Sequence, residues 1–146
     1  MIAVDTNILV HAHRGESPWH ESADRVMAGF VEGRSSWVIP WHCIIEFIAM
    51  VTHPRIYQPP SHLHVALEQV QSWLESPSLI LLSETPGFYS TLATTLSQAA
   101  VVGPRVHDAR IAALCIHHGV TTLYTADRDF SRFARLHTQN PLVAPR

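Results

Sequence analysis

Short apolar runs alternate along this chain with longer stretches whose apolar residues recur at helical spacing. Ile2–Val4 reads as a buried strand and Ile8–His13 as a short helix. Ser17-Pro18 is a helix-start signal, with Ser17 as N-cap and Pro18 at the first helical position. Trp19, Ala23, Val26, Met27 and Phe30 then share a helix face that ends near Gly33. Trp37–Ile39 is a second short strand. Pro40 opens a helix with Cys43, Phe47, Met50 and Val51 on one side, and Pro54 closes it. Beyond the Pro59-Pro60 turn, Ser61 caps a helix carrying Leu63, Leu67, Val70 and Leu74. Leu79–Leu82 is the clearest strand. Thr85-Pro86 repeats the cap-then-proline signal for a helix running toward Ala100. After the Gly103-Pro104 break come a helix over Asp108–His118 with Gly119 as its stop, a strand over Val120–Tyr124, and a turn or short helix over Asp127–Phe133. A last strand is expected near Leu136–Thr138.

Strands alternating with helices predict an α/β fold with a mostly parallel sheet, in one domain spanning residues 1–146. Ligands of such sheets bind beyond the carboxyl ends of the strands. Asp5 and Asp127 each follow a predicted strand, so the topology brings them to one rim.

Charge is scarce: 15% of residues are Asp, Glu, Lys or Arg, against 47% apolar. Four acids nevertheless sit in apolar settings: Asp5, Glu46, Asp108 and Asp127. Each has a bland explanation. Asp5 suits an N-cap, although Thr6 and Asn7 offer the same service. Asp108 lies in a first helical turn, where the dipole favours an acid. Glu46, within Cys43-Ile44-Ile45-Glu46-Phe47, suits a buried pair with an arginine. Asp127 suits a turn cap, and Asp129 an i,i+3 pair with Arg132.

Taken together, the four imply a shared cluster. Two carboxylates about 4 Å apart repel by roughly 4 kcal/mol at an effective dielectric near 20, and protonation or a cation relieves this. Oxygen ligands select a hard ion, Mg²⁺ or Mn²⁺. The eleven histidines fall in no zinc-type spacing.

Four segments carry a family resemblance: Val4-Asp5-Thr6-Asn7-Ile8-Leu9, Ile45-Glu46-Phe47, His107-Asp108-Ala109-Arg110-Ile111-Ala112-Ala113, and Thr125-Ala126-Asp127-Arg128-Asp129-Phe130. In order and spacing the chain resembles PIN-domain ribonucleases, and among them the VapC toxins of bacterial toxin–antitoxin pairs. The resemblance implies a three-layer fold with a central sheet between helices. It implies that Asp5, Glu46, Asp108 and Asp127 hold Mg²⁺ or Mn²⁺ for hydrolysis of RNA phosphodiester bonds, supported by Thr6, Asn7 and Thr125. It further implies a homodimer and a cognate antitoxin whose basic side chain blocks the site.

The remaining composition narrows the alternatives. All ten Lys-or-Arg positions are arginine. Without a lysine, a haloacid-dehalogenase-like phosphatase, a receiver domain and a P-loop NTPase are excluded; position 7 also lacks the second acid of the first. A net charge of −2 argues against a general polyanion binder, though not against a nuclease. Arg14, Arg105, Arg110 and Arg128 are candidate phosphate contacts. The tryptophans fit core or dimer packing better than base stacking. No apolar run approaches the roughly 18 residues of a membrane helix, and Asp5 interrupts the first apolar stretch. The expectation is therefore a cytoplasmic protein with Cys43 and Cys115 reduced. The competing hypothesis is a PIN-like binding module without catalysis, its acids neutral or arginine-paired.

Overall fold

The computed structural model describes residues 1–143. Five parallel strands form one sheet: β1 (Ile2–Val4), β2 (Trp37–Pro40), β3 (Leu79–Leu82), β4 (Thr122–Tyr124) and β5 (His137–Gln139), in the order β3-β2-β1-β4-β5. Six helices flank it: α1 (Thr6–His13), α2 (His20–Glu32), α3 (Trp41–Val51), α4 (Leu63–Leu74), α5 (Phe88–Ala99) and α6 (Val106–His117).

The three inner strands are buried on both faces, which is why they read as continuous apolar runs rather than alternations. Ala3, Val4, Trp37, Val38, Ile39 and Leu123 are fully enclosed. The edges differ. Ile80 of β3 is exposed, and β5 (His-Thr-Gln) has no apolar residue, which explains its weak sequence signal.

Register fixes the rim. Val4 of β1 pairs with Tyr124 of β4. The amide of Asp5 extends that ladder by donating to the Tyr124 carbonyl at 3.0 Å, and the amide of Thr125 donates to the Gln139 carbonyl at 3.0 Å. The chain steps outward from β1 in one direction through β2 and β3, then returns to β1's other side at β4. Asp5 and Thr125 therefore emerge side by side at the switch point, where α/β sheets open a crevice.

Helix starts depart from expectation at both hydroxyl–proline signals and at the Ser61 cap. α2 begins at His20, because Ser17 Oγ caps a turn by accepting from the Trp19 amide at 3.1 Å. α4 begins at Leu63, with Ser61 Oγ engaged by His13 and Arg14. α5 begins at Phe88 after Gly87, while Thr85 Oγ1 contacts His117 at 2.7 Å. In each case the hydroxyl found a partner other than the orphan amides of the helix.

Gly119 ends α6 at φ +71°, and no atom would crowd an added methyl group. Gly119→Ala should thus cost the left-handed backbone penalty alone, about 1 kcal/mol. That is roughly 2–4 °C in melting temperature at this chain length. Gly15→Ala, in open space without positive φ, should leave the melt unchanged.

Candidate active site

Asp5 is the N-cap of α1: its Oδ1 accepts from the Thr6 amide at 2.7 Å. The capping role is real, and it uses one of the two carboxylate oxygens. Oδ2 accepts from Thr125 Oγ1 at 2.7 Å and from Asn7 Nδ2 at 2.9 Å. The Thr125 hydroxyl also accepts from Asn7 Nδ2 at 3.1 Å and from the Asp127 amide at 3.0 Å, which fills its hydrogen-bonding capacity. Asn7 Oδ1 in turn accepts from the Ala126 amide at 3.0 Å, fixing the orientation of its amide group. The ends of β1 and β4 are locked together through these three side chains.

Asp5 is buried, and no cation lies within ion-pair distance of it among the described residues. Burial pushes its carboxyl up to about 6, against the hydrogen bonds from Thr125 and Thr6, and the negative charges of Glu46 and Asp108 push the same way. Desolvation with uncompensated like charge is the setting in which a proton or a metal ion is retained.

Glu46 enters from α3. Its Oε1 accepts from Thr6 Oγ1 at 2.5 Å, so Thr6 ties Asp5 and Glu46 together through its amide and its hydroxyl. Glu46 is half-buried and has no arginine partner among the described residues. The imidazole of His42, one turn earlier, lies 3.5 Å from Oε2 and holds the carboxyl below the usual range, with the Thr6 hydroxyl adding to this.

His42 was not among the sequence candidates. Its ring is parallel to that of His107 at 5.9 Å, and Arg110 Nη1 lies 3.2 Å from its Nδ1. The available signal was its i,i+4 spacing to Glu46.

Asp108 lies in the first turn of α6, half-buried. Its carboxyl is raised first by burial and then by the charges of Asp127 and Glu46, against the opposing pull of Arg105. Asp127 caps a 3-10 turn over Arg128–Arg132, its Oδ1 accepting from the Asp129 amide at 2.8 Å. Asp5, Glu46, Asp108 and Asp127 thus belong to one electrostatically coupled group. They do not form a closed cage: among the described residues no three Asp, Glu, His or Cys side chains surround a point fit for a metal ion.

Asp129 pairs with Arg105 at 2.5 Å rather than with Arg132. Three expected phosphate contacts, Arg105 in this pair and Arg14 and Arg110, are committed elsewhere. Arg14 binds Glu16, Ser61 Oγ and the Pro59 carbonyl and lies 4.4 Å above the Tyr57 ring, so it clamps the loop before α4. Arg110 is ion-paired with Glu84. Arg128 is exposed and has no acidic partner among the described residues. Cys43 and Cys115 are buried free thiols, and the Cys43 Sγ lies 3.8 Å from Asp5 Oδ1.

With this geometry in view, comparison with known proteins places the chain. The sequence pattern of the PIN domain matches residues 2–136, and the protein belongs to the PIN domain family. It is 29% identical over 137 residues to Ribonuclease VapC48 of Mycobacterium tuberculosis, covering 94% of each chain. It is 28% identical over 141 residues to Ribonuclease VapC37 of the same organism, covering 97% of each. The fold resembles the crystal structure of VapC20 from Mycobacterium tuberculosis, described as a Sarcin-Ricin loop cleaving toxin, with a TM-score of 0.68, 19% identity and coverage of 90% of this chain and 93% of that one. It also resembles a chain of VapBC2 from Rickettsia felis bound to a promoter DNA fragment, at a TM-score of 0.65 and 21% identity over 95% and 98% of the two chains. No helix among the described residues is long and apolar enough to cross a membrane.

Proposed function

We propose that this protein is a metal-dependent endoribonuclease, the toxin of a VapBC-type toxin–antitoxin pair, acting in the cytoplasm. The carrying observation is Asp5: buried, oriented by Thr6, Asn7 and Thr125, its carboxyl pushed upward by the charges of Glu46 and Asp108, and with no cation within ion-pair distance of it among the described residues. The relatives named as ribonucleases span nearly the whole chain and support the same reading.

The donor set fits Mg²⁺ or Mn²⁺, being all carboxylate oxygen. In this reading Asp5 and Asp108 would ligate the ion directly, with Glu46 and Asp127 completing the shell directly or through water. Such an ion, when bound, would lower the pKa of an attacking water and offset charge on the phosphate. The chain's own residues supply the positioning. Thr125 and Asn7 hold Asp5 Oδ2 in a fixed direction and occupy both of its lone pairs, which leaves Oδ1 as the oxygen that would meet a ligand. Thr6 and His42 orient Glu46 toward the same rim. Arg128, beside Asp127, remains the candidate phosphate contact from the original set.

Partners follow from the same reading. The structural neighbours include toxin–antitoxin complexes, and we assign this chain a cognate antitoxin. Trp41 and Ile45 on α3, and Leu63 and Leu67 on α4, expose large apolar surfaces that an assembly, including a homodimer, would bury.

The test is incubation of the purified protein with total RNA in Mn²⁺, in Mg²⁺ and in EDTA. Cleavage with either ion and none in EDTA is expected. RNA binding without cleavage under any ion would favour the non-catalytic binding module instead.

A further inference from the structure

A broad groove lies beside the carboxylates rather than over them. It has a volume of about 1170 Å³ and runs between α2, the loop leading into β2, and the segment after β5. Arg25, Phe30 and Arg34 line it from the α2 side, and Tyr124, Arg128 and Gln139 from the ends of β4 and β5. None of the four site acids lines it, nor does any other Asp or Glu among the described residues. One end nevertheless meets the site, because Tyr124 precedes Thr125 and Arg128 follows Asp127.

The positive charge in this groove is largely uncommitted. Arg14, Arg105 and Arg110 are held by Glu16, Asp129 and Glu84. Arg34 and Arg128 have no acid within ion-pair distance among the described residues. Arg25 has one 3.3 Å contact with Glu21 between two exposed side chains, a pairing that leaves it available. A chain of net charge −2 has gathered three arginines along one groove.

The floor is aromatic and held from beneath. Phe30 stacks on the buried Trp37 at 5.3 Å with an interplanar angle of 12°, and tilts against Tyr124 at 5.7 Å. Guanidinium groups suit phosphate oxygens, aromatic faces suit unstacked bases, and an amide such as Gln139 suits base edges. An acidic peptide would use the arginines but not the aromatic floor.

We propose that this groove holds the single-stranded RNA flanking the cleaved bond, with Arg34 and Arg128 on its phosphates and a base against Tyr124. The proposal rests on the nuclease reading for the identity of the strand as substrate. Its binding chemistry is testable without cleavage.

The probe is a fluorescent single-stranded RNA of about a dozen nucleotides, within the footprint of such grooves. Binding is read by anisotropy in EDTA over a range of salt concentrations. Arg34→Ala/Arg128→Ala, both at exposed positions, should melt like the wild type and bind about tenfold more weakly. Its log–log salt dependence should be shallower by about 1.4, or 0.7 for each lost phosphate contact. Arg55→Ala, outside the groove, should bind as the wild type does. Four results would overturn the proposal: unchanged affinity and slope in the double variant, an equal loss in Arg55→Ala, no RNA binding by the wild type, or loss of polyglutamate binding with RNA binding intact. The last would reassign the groove to an acidic protein segment. A wild type that cleaves RNA while its affinity ignores both arginines sinks the groove alone. A wild type that never cleaves, but whose RNA binding needs them, sinks the nuclease reading alone.

Discussion

Asp108→Asn is expected to reduce Mn²⁺-dependent RNA cleavage by at least about 100-fold while leaving the fold intact. Changes in groups that merely orient metal ligands cost roughly 10- to 100-fold, and a direct ligand should cost no less. The structure favours this substitution over the equivalent one at Asp5. Asp108 is half-buried at the first turn of α6 and accepts no hydrogen bond from another described side chain, so an amide can replace its carboxylate without stranding a donor. Asp5→Asn instead sets an amide nitrogen against Asn7 Nδ2 and Thr125 Oγ1, both donating to the oxygen it replaces. A stranded buried donor costs about 1–3 kcal/mol. Loss of cleavage in Asp5→Asn thus mixes lost ligation with a disturbed scaffold; Asp108→Asn separates them. A melt matching wild type together with wild-type cleavage rates would remove Asp108 from the site.

That separation could not be read from the chain, although much else could. The apolar runs at Ile2–Val4 and Leu79–Leu82 gave strands with the expected bounds: β1 is an inner strand enclosed on both faces, and β3, although an edge strand that exposes Ile80, is four consecutive large aliphatic residues. The positive-φ stop at Gly119 was legible for an equally local reason. The expected helix starts failed because Ser61 and Thr85 had tertiary partners, which local capping chemistry cannot anticipate, while Ser17 capped a preceding turn instead. Neighbourhood at the rim was partly legible: strand ends gather acids, but only the β1–β4 register shows that Asp5 and Thr125 exit side by side. Arginine commitments were invisible, since Arg105–Asp129 and Arg110–Glu84 join segments about two dozen positions apart. His42 was lost among eleven histidines, most of them serving structural hydrogen bonds of the His13–Ser61 kind.

The protein stripped of metal by EDTA should become less stable as pH rises through the range where Asp5 ionises. Asp5 binds its proton more tightly when folded, with a carboxyl raised from 3.8 to about 6. A group raised in this way favours folding fully below 3.8, and its contribution is lost as pH climbs to about 6. At about 1.36 kcal/mol per pH unit, the whole loss is about 3 kcal/mol. Asp108, also raised, adds a loss of the same sign. Glu46 has the opposite sign, but its carboxyl is depressed, so it is already ionised in both states above pH 5. His11, lowered by burial, opposes the trend by favouring folding as pH rises. The Asp5 contribution is therefore isolated by subtracting the Asp5→Asn curve from that of wild type between about pH 5 and 7. The difference should fall by roughly 1.4 kcal/mol per unit until about pH 6 and then level off. Mn²⁺ at about 100 times its dissociation constant should restore about 2.7 kcal/mol to wild type at neutral pH, and less as protons compete at lower pH. Parallel pH curves for the two proteins, with no response to Mn²⁺, would mean that Asp5 is an N-cap and nothing more. The same physics that makes this carboxylate costly to bury would then have no ligand to justify it, and the shared electrostatics of Asp5, Glu46 and Asp108 would need another cation to balance them.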